Sequence, residues 1–179
     1  MTFAASTPSR AGRLWLLGEQ ALAWLEHLRP LALLAARLYV AHVFLASGLT
    51  KLHDWDTTLA LFMDEYHVPL LNPTLAAYMG TGGELGLSVL LALGLFGRFA
   101  AAGLSVLNGV AVISLMSVPD AALMGHVYWG SLLIAVLLLG PGAISVDRFL
   151  IPRLRERLLG ARAGAAASEA PALRRMSRL

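Results

Sequence analysis

Four stretches of this chain, residues 31–49, 74–95, 99–117 and 124–139, run almost without charge. Crossing the hydrocarbon of a bilayer takes about 20 residues at 1.5 Å of rise each. The runs therefore read as membrane spans. Composition agrees: 58% of the residues are hydrophobic and 14% charged, against about 25% charged in soluble domains. Short connections make neighbouring spans antiparallel. The expected fold is all-α, a polytopic membrane protein built as an antiparallel four-helix transmembrane bundle with amphipathic interfacial helices.

Three regions follow along the chain. Residues 1–30 form an N-terminal segment, with 1–12 expected to be disordered. From Arg13 to Arg29, Leu14, Leu17, Ala21, Leu25 and Leu28 make one helical stripe beside Trp15 and Trp24, which suits an amphipathic helix at the membrane interface. Glu19, Gln20, Glu26 and His27 interrupt it, so it does not read as a signal peptide, and Pro30 is expected to restart the chain. Residues 31–145 are the four-span domain. Residues 146–179 combine a second amphipathic stripe (Val146, Phe149, Leu150, Leu154, Leu158) with an Ala/Gly/Arg-rich tail, 160–179, expected to be disordered.

The loops carry opposite charges. After span 1 come Lys51 and His53, then Asp54, Asp56, Asp64 and Glu65. Leu59, Phe62, Met63 and Tyr66 fall at helical spacing. This predicts a short surface helix, capped by Asp56 and ending before Pro69. The connection after span 2 is short and carries Arg98. Val118–Leu123 is expected to be a turn. From Arg148 onward eight arginines stand against Asp147, Glu156 and Glu169. A basic segment just after a span marks the cytoplasmic side and meets anionic lipid, which outweighs a nucleic-acid reading. Both termini are expected in the cytoplasm.

Each span also holds a polar side chain. Depth from the cytoplasmic boundary, at 1.5 Å per residue, is about 16 Å for His42, 17 Å for Glu84, 14 Å for Asn108 and 20 Å for His126. Arg37 lies at about 9 Å, and Lys51 near the outer surface. Ionisable groups in lipid are costly, so they are paired, protonated or turned to a cavity. Arg37, Ala41, Phe44, Gly48 and Lys51 share one strip of span 1. Gly80, Glu84, Ser88 and Leu91 share one face of span 2. Small residues in both allow close packing. The expected pair is Arg37 with Glu84. The expected site comprises Glu84, Arg37 and His126 as reacting groups and Arg37, His42, Glu84, Asn108 and His126 as cofactor contacts, with no metal. Structural readings compete: an inert ion pair, a lone His42 at the bundle edge, an interhelical Asn108, an interfacial His126.

Other chemistries score poorly. The chain has no cysteine, so thiol relay and cysteine-held clusters are out of its own reach. No dinucleotide or P-loop fingerprint is present, and no metal-ligand motif. A bis-histidine haem on His42 and His126 is a minor alternative, and any redox role would need an external cofactor, a quinone or a partner subunit.

The segments RLYVAHVFLASGLTKL (37–52), WDTTLALFMDEYHVPLL (55–71), LGLSVLLALGLFGR (85–98) behind Glu84, and GPGAISVD (140–147) together resemble the DoxX family of small bacterial membrane proteins, over roughly residues 31–151. The resemblance implies a four-span inner-membrane protein, with relatives associated with quinol oxidase and thiosulfate:quinone oxidoreductase systems. The residues that carry it are Arg37, Gly48, Lys51, Glu84, Arg98, Gly140, Pro141, Gly142, Ser145 and Asp147.

Three function classes stand open. The leading one is a quinone-interacting or redox-associated subunit of a membrane oxidoreductase system, with electrons from a membrane or periplasmic redox partner. The others are a small-molecule or proton permease and a non-catalytic scaffold for a partner enzyme. The lipid bilayer is the expected environment, a homo-oligomer is admitted, and nucleic acid is not expected.

Overall fold

The computed structural model describes residues 9–115, 119–157 and 159. They form helices α1 (Arg10–His53), α2 (Trp55–Asp64), α3 (Pro73–Leu93), α4 (Gly97–Ser114) and α5 (Asp120–Leu139), followed by α6 (147–157). Four of them, α1, α3, α4 and α5, are long and apolar enough to cross a membrane. In the bundle α1 packs on α3, α3 on α4, α4 on α5 and α5 back on α1, while α2 lies over the N-terminal end of α3. The four-helix reading holds. The tail 160–179 and residues 1–8 lie outside the described residues.

Three expectations about the ends are corrected. Pro30 does not restart the chain, because α1 runs through it without a break. A proline removes one hydrogen bond, here to the Glu26 carbonyl, and membrane helices tolerate that loss when their neighbours carry the helix on. At 1.5 Å per residue α1 is about 66 Å long, twice the hydrocarbon thickness, so its first half projects past the bundle with Trp15 and Trp24 exposed. Ser9 caps it through the Gly12 amide, so residues 10–12 are already helical. At the other end, Asp120–Leu123 are the first turn of α5, not a connection.

The core is one apolar cluster from all four spans: Val40, Ala41 and Phe44 of α1, Leu91 of α3, Ala100, Ala101 and Leu104 of α4, and Leu133 and Val136 of α5. Alanines and glycines bring the backbones close. A Cβ on Gly48 would meet Leu85 at 2.9 Å and the Glu84 Cβ at 3.2 Å. A smaller cluster of Phe62, Ala76 and Ala77 sits beneath α2. The α2 cap is Asp54, accepting from the Thr57 amide at 3.1 Å, two residues before the expected Asp56. Asn72 caps α3 through the Leu75 amide at 2.8 Å, with Pro73 in the first turn.

The GPGAISVD segment locks the opposite end. Gly140 and Gly142 both adopt positive φ, +85° each, which side chains disfavour. This lets the chain fold back under the α3–α4 turn, where Pro141 packs on Gly97. Val146 and Asp147 then donate their amides to the Leu93 and Gly94 carbonyls at 3.2 and 3.0 Å. The N-terminus of α4 has no cap of its own. Asp147 supplies one from fifty residues away, accepting from the Phe96 and Gly97 amides at 2.8 Å each.

Candidate functional site

Glu84 sits halfway along α3, and its partner is Lys51. The Lys51 ammonium donates to both carboxylate oxygens at 2.7 Å. Ser47, one turn before Lys51 on α1, receives a third Lys51 hydrogen bond at 2.8 Å and donates to Glu84 at 3.3 Å. The side chains of Lys51 and Glu84 are 20% and 14% exposed. Gly48, on the same strip of α1, is what lets that helix approach close enough for the bridge.

The expected Arg37–Glu84 pair is therefore overturned. Arg37 is buried at the far end of the bundle, 2% exposed. Its guanidinium donates to the carbonyls of Pro141, Ala92 (3.2 Å) and Ile144 (2.9 Å). It ties α1, the end of α3 and the GPGAISVD turn together. The reason is reach along the axis. Ala92 lies eight residues below Glu84, about 12 Å of helical rise, and Arg37 packs at that level. Lys51 lies at the end of the bundle that α2 covers, and its long side chain reaches along the helix axis to the carboxylate, a direction that counting backbone depth does not register.

The remaining sequence-predicted residues form a second, separate group. Asn108 of α4 and His126 of α5 bond to each other: the Asn108 amide donates to the His126 carbonyl at 3.0 Å, and its oxygen faces His126 Nδ1 at 2.9 Å. That oxygen accepts only, so Nδ1 carries the proton and Nε2 keeps its lone pair. Trp129 stands edge-on to the imidazole, with centroids 5.2 Å apart. Neither Asn108 nor His126 borders the cavity described next. His42 is exposed on the outside of α1 and meets neither group, so it does not converge with His126 on a shared haem. Among the described residues no three His, Cys, Asp or Glu side chains gather as a metal site.

Lys51 and Glu84 line a cavity of about 430 Å³ between α2, α3 and α4. Its walls are apolar, among them Phe62, Val68, Leu71, Ala76, Leu107 and Val110. Tyr66 adds a polar group. Burial, and then the nearby Glu65 and Glu84 carboxylates, raise its phenol above the usual value, so it stays a neutral donor at physiological pH. The 66–71 segment over the cavity is pinned to the end of α4 by the His67 amide on the Ser114 carbonyl at 2.8 Å. Leu70, in that segment, has a φ of +67°, unusual for a side chain of its size. It stands fully exposed at the rim with Met79, Val106 and Ile113, each more than half exposed. The rim is thus apolar and made largely of exposed span side chains.

Lys51, Ser47 and Tyr66 are the residues that sequence reasoning left out of the site. The signal for Lys51 was present, since it falls on the strip of α1 that carries Gly48. Ser47 and Lys51 at i and i+4 also share a helix edge. The spacing put Tyr66 on the stripe of the surface helix with Phe62, which lines the same cavity, but did not tie that stripe to Glu84.

The chain matches the sequence model of the DoxX family over residues 32–117, a stretch that contains every residue lining the cavity. It is 31% identical over 140 residues to inner membrane protein YphA of Escherichia coli (strain K12), an alignment covering 67% of this chain and 91% of that protein. No solved structure matches it.

Proposed function

The chain belongs to the DoxX family, and from that premise we propose that this multi-pass inner-membrane protein binds a lipid-soluble ligand of the quinone class in the cavity above Lys51 and Glu84, as a subunit associated with a membrane oxidoreductase. The observation that carries the reading is an ion pair among the walls of an otherwise apolar cavity whose exposed rim is made largely of span side chains. Such a site admits a ligand from the bilayer and offers it a donor and an acceptor. A volume of about 430 Å³ falls within the usual range for small-molecule sites, roughly 300–1,000 Å³.

A quinone, when bound, supplies an electron-accepting ring whose reduction takes up protons. The chain's residues suit the complementary tasks. Lys51 has its three N–H groups on Ser47 and Glu84 and would turn one of them from these partners to a ring oxygen. Glu84 exchanges one proton within hydrogen-bond reach, as proton transfer requires. Tyr66 donates from the neutral phenol. The apolar walls exclude water. With no cysteine in the chain, we assign the electron source to a partner protein.

The core argues for binding rather than passage. Beyond the ion pair, Leu91, Leu104 and Leu133 are fully buried and in contact across the bundle, and Arg37 with its carbonyls lies below them. A permease would need a path through both layers. We further infer that both termini face the cytoplasm: Arg98 and the arginines of α6 lie at one end of the bundle and Asp54, Asp56, Asp64 and Glu65 at the other. The cavity then opens in the periplasmic half.

The test is binding of a short-chain ubiquinone to the purified protein in nanodiscs. Glu84→Gln preserves shape and can still accept from Lys51, and it is expected to weaken binding about tenfold, one lost charge-assisted hydrogen bond. Unchanged affinity in Glu84→Gln and Lys51→Met would refute the site.

A further inference from the structure

We propose that the crevice at the bundle end opposite α2 holds the phosphate headgroup of an anionic phospholipid. The crevice, about 700 Å³, lies in the crook between the projecting half of α1, the GPGAISVD turn and α6. Three guanidinium groups border it: Arg29 from α1, Arg98 from the first turn of α4 and Arg148 from α6. They come from three separate parts of the chain, and the fold alone brings them to one opening.

The groups have donors to spare. Arg98 uses its Nε on the Leu137 carbonyl at 3.2 Å and one Nη on the Leu138 carbonyl at 3.4 Å. A guanidinium has five N–H groups, so three remain. Gly140 places no side chain over them: a Cβ there would sit 3.5 Å from the guanidinium. Arg29 is paired only loosely with Glu26, at 3.8 Å on the surface. Arg148 makes no ion pair among the described residues. Two carboxylates also border the crevice. Asp147 has both oxygens committed to the Phe96 and Gly97 amides, and Glu26 is the exposed partner of Arg29. The balance facing the opening is positive.

The walls say what carries the phosphate. Leu139, the last residue of α5, and Ile151 of α6 border the crevice and are each about half exposed. Leu138 beside them is 70% exposed. This is where a span ends and the headgroup region begins. A phosphate held by the arginines there has apolar surface running from it along α5, which fits acyl chains. A free phosphate ester would leave that surface unused. Basic crevices between spans are suited to such headgroups, and planar guanidinium groups to phosphate oxygens.

The experiment is native mass spectrometry of the full chain titrated with phosphatidylglycerol against phosphatidylcholine. The wild-type protein is expected to retain phosphatidylglycerol preferentially. Arg29→Gln with Arg148→Gln should reduce that preference roughly 20-fold, about fivefold per arginine. Arg153→Gln with Arg155→Gln and Arg157→Gln, on α6 but outside the crevice, should reduce it less than threefold. Equal losses from the two sets would mean a diffuse basic surface and overturn the site. So would displacement of the lipid by an equal concentration of soluble glycerol phosphate, because the apolar walls would then contribute nothing. The unmutated protein gives a second reading that folding defects cannot touch. Phosphatidylglycerol should shield Arg29, Arg98 and Arg148 from phenylglyoxal at least fivefold better than phosphatidylcholine, with Arg153, Arg155 and Arg157 reacting alike in both. Uniform shielding of all six would also overturn it.

Discussion

Lys51, Glu84 and Arg37 show how charges in one bundle sort by reach. Breaking a buried pair leaves one charge uncompensated, which costs about 3–5 kcal/mol in soluble cores. Lys51→Met should destabilise the protein by roughly 3 kcal/mol, read from denaturant unfolding in detergent. Glu84→Gln keeps one acceptor for Lys51, loses the other and leaves the ammonium without its counter-charge, and should cost about 2 kcal/mol. The two together should cost less than their sum. Arg37→Met strands the carbonyls of Ala92, Pro141 and Ile144, and its cost should simply add to that of Glu84→Gln, since the two sites share no partner. Coupling above about 1 kcal/mol between Arg37 and Glu84 would contradict the separation described above. The sequence marked both buried charges and their importance. It did not mark who meets whom, because a lysine can reach several ångströms along the helix axis away from its own backbone.

Among the elements, the four spans were legible because hydrophobic runs of that length admit few other structures; the ends of the last three moved by only a few residues, whereas α1 starts at Arg10 and not at residue 31. The joins were less legible. Pro30 looked like a break because its local rule is strong, and only the packed helix shows that one missing hydrogen bond is tolerated. The caps carry the testable consequences. The Thr57 hydroxyl and amide hold the Asp54 carboxylate below its ordinary range, near 3.9 in the unfolded chain. The depressed value means that the cap's stabilisation is present above about pH 4 and is lost as pH falls through the lower, folded value. Amide hydrogen exchange in α2 should accelerate below about pH 4 in the wild-type protein but show no such step in Asp54→Asn. Asp147 is the stronger case. Asp147→Ala removes the acceptor for two amides at the start of α4 and should cost about 2–3 kcal/mol. A thermal unfolding midpoint unchanged in Asp147→Ala would show that α4 does not depend on it. The GPGAISVD motif was readable as a stop after span 4, but nothing in its spacing announced that its aspartate caps a different helix.

For the whole molecule, the ion-pair cavity and the arginine crevice lie at opposite ends of one bundle, separated by the Leu91, Leu104 and Leu133 layer. Orientation decides which compartment each meets. A reporter inserted in α2 should behave as periplasmic and one fused after Leu179 as cytoplasmic; the reverse pattern would turn both sites over together. The Asp147 cap also bears on how the protein is made. The ribosome delivers residue 97 long before residue 147, and chains grow at about 5–20 residues per second, so the first turn of α4 waits roughly 3–10 s for its cap. Throughout that interval the α3–α4 hairpin is already synthesised with its tight turn unsupported. The nascent chain should therefore be most exposed to membrane quality-control proteases just before the GPGAISVD segment leaves the exit tunnel, and Asp147→Ala should make that vulnerable interval permanent.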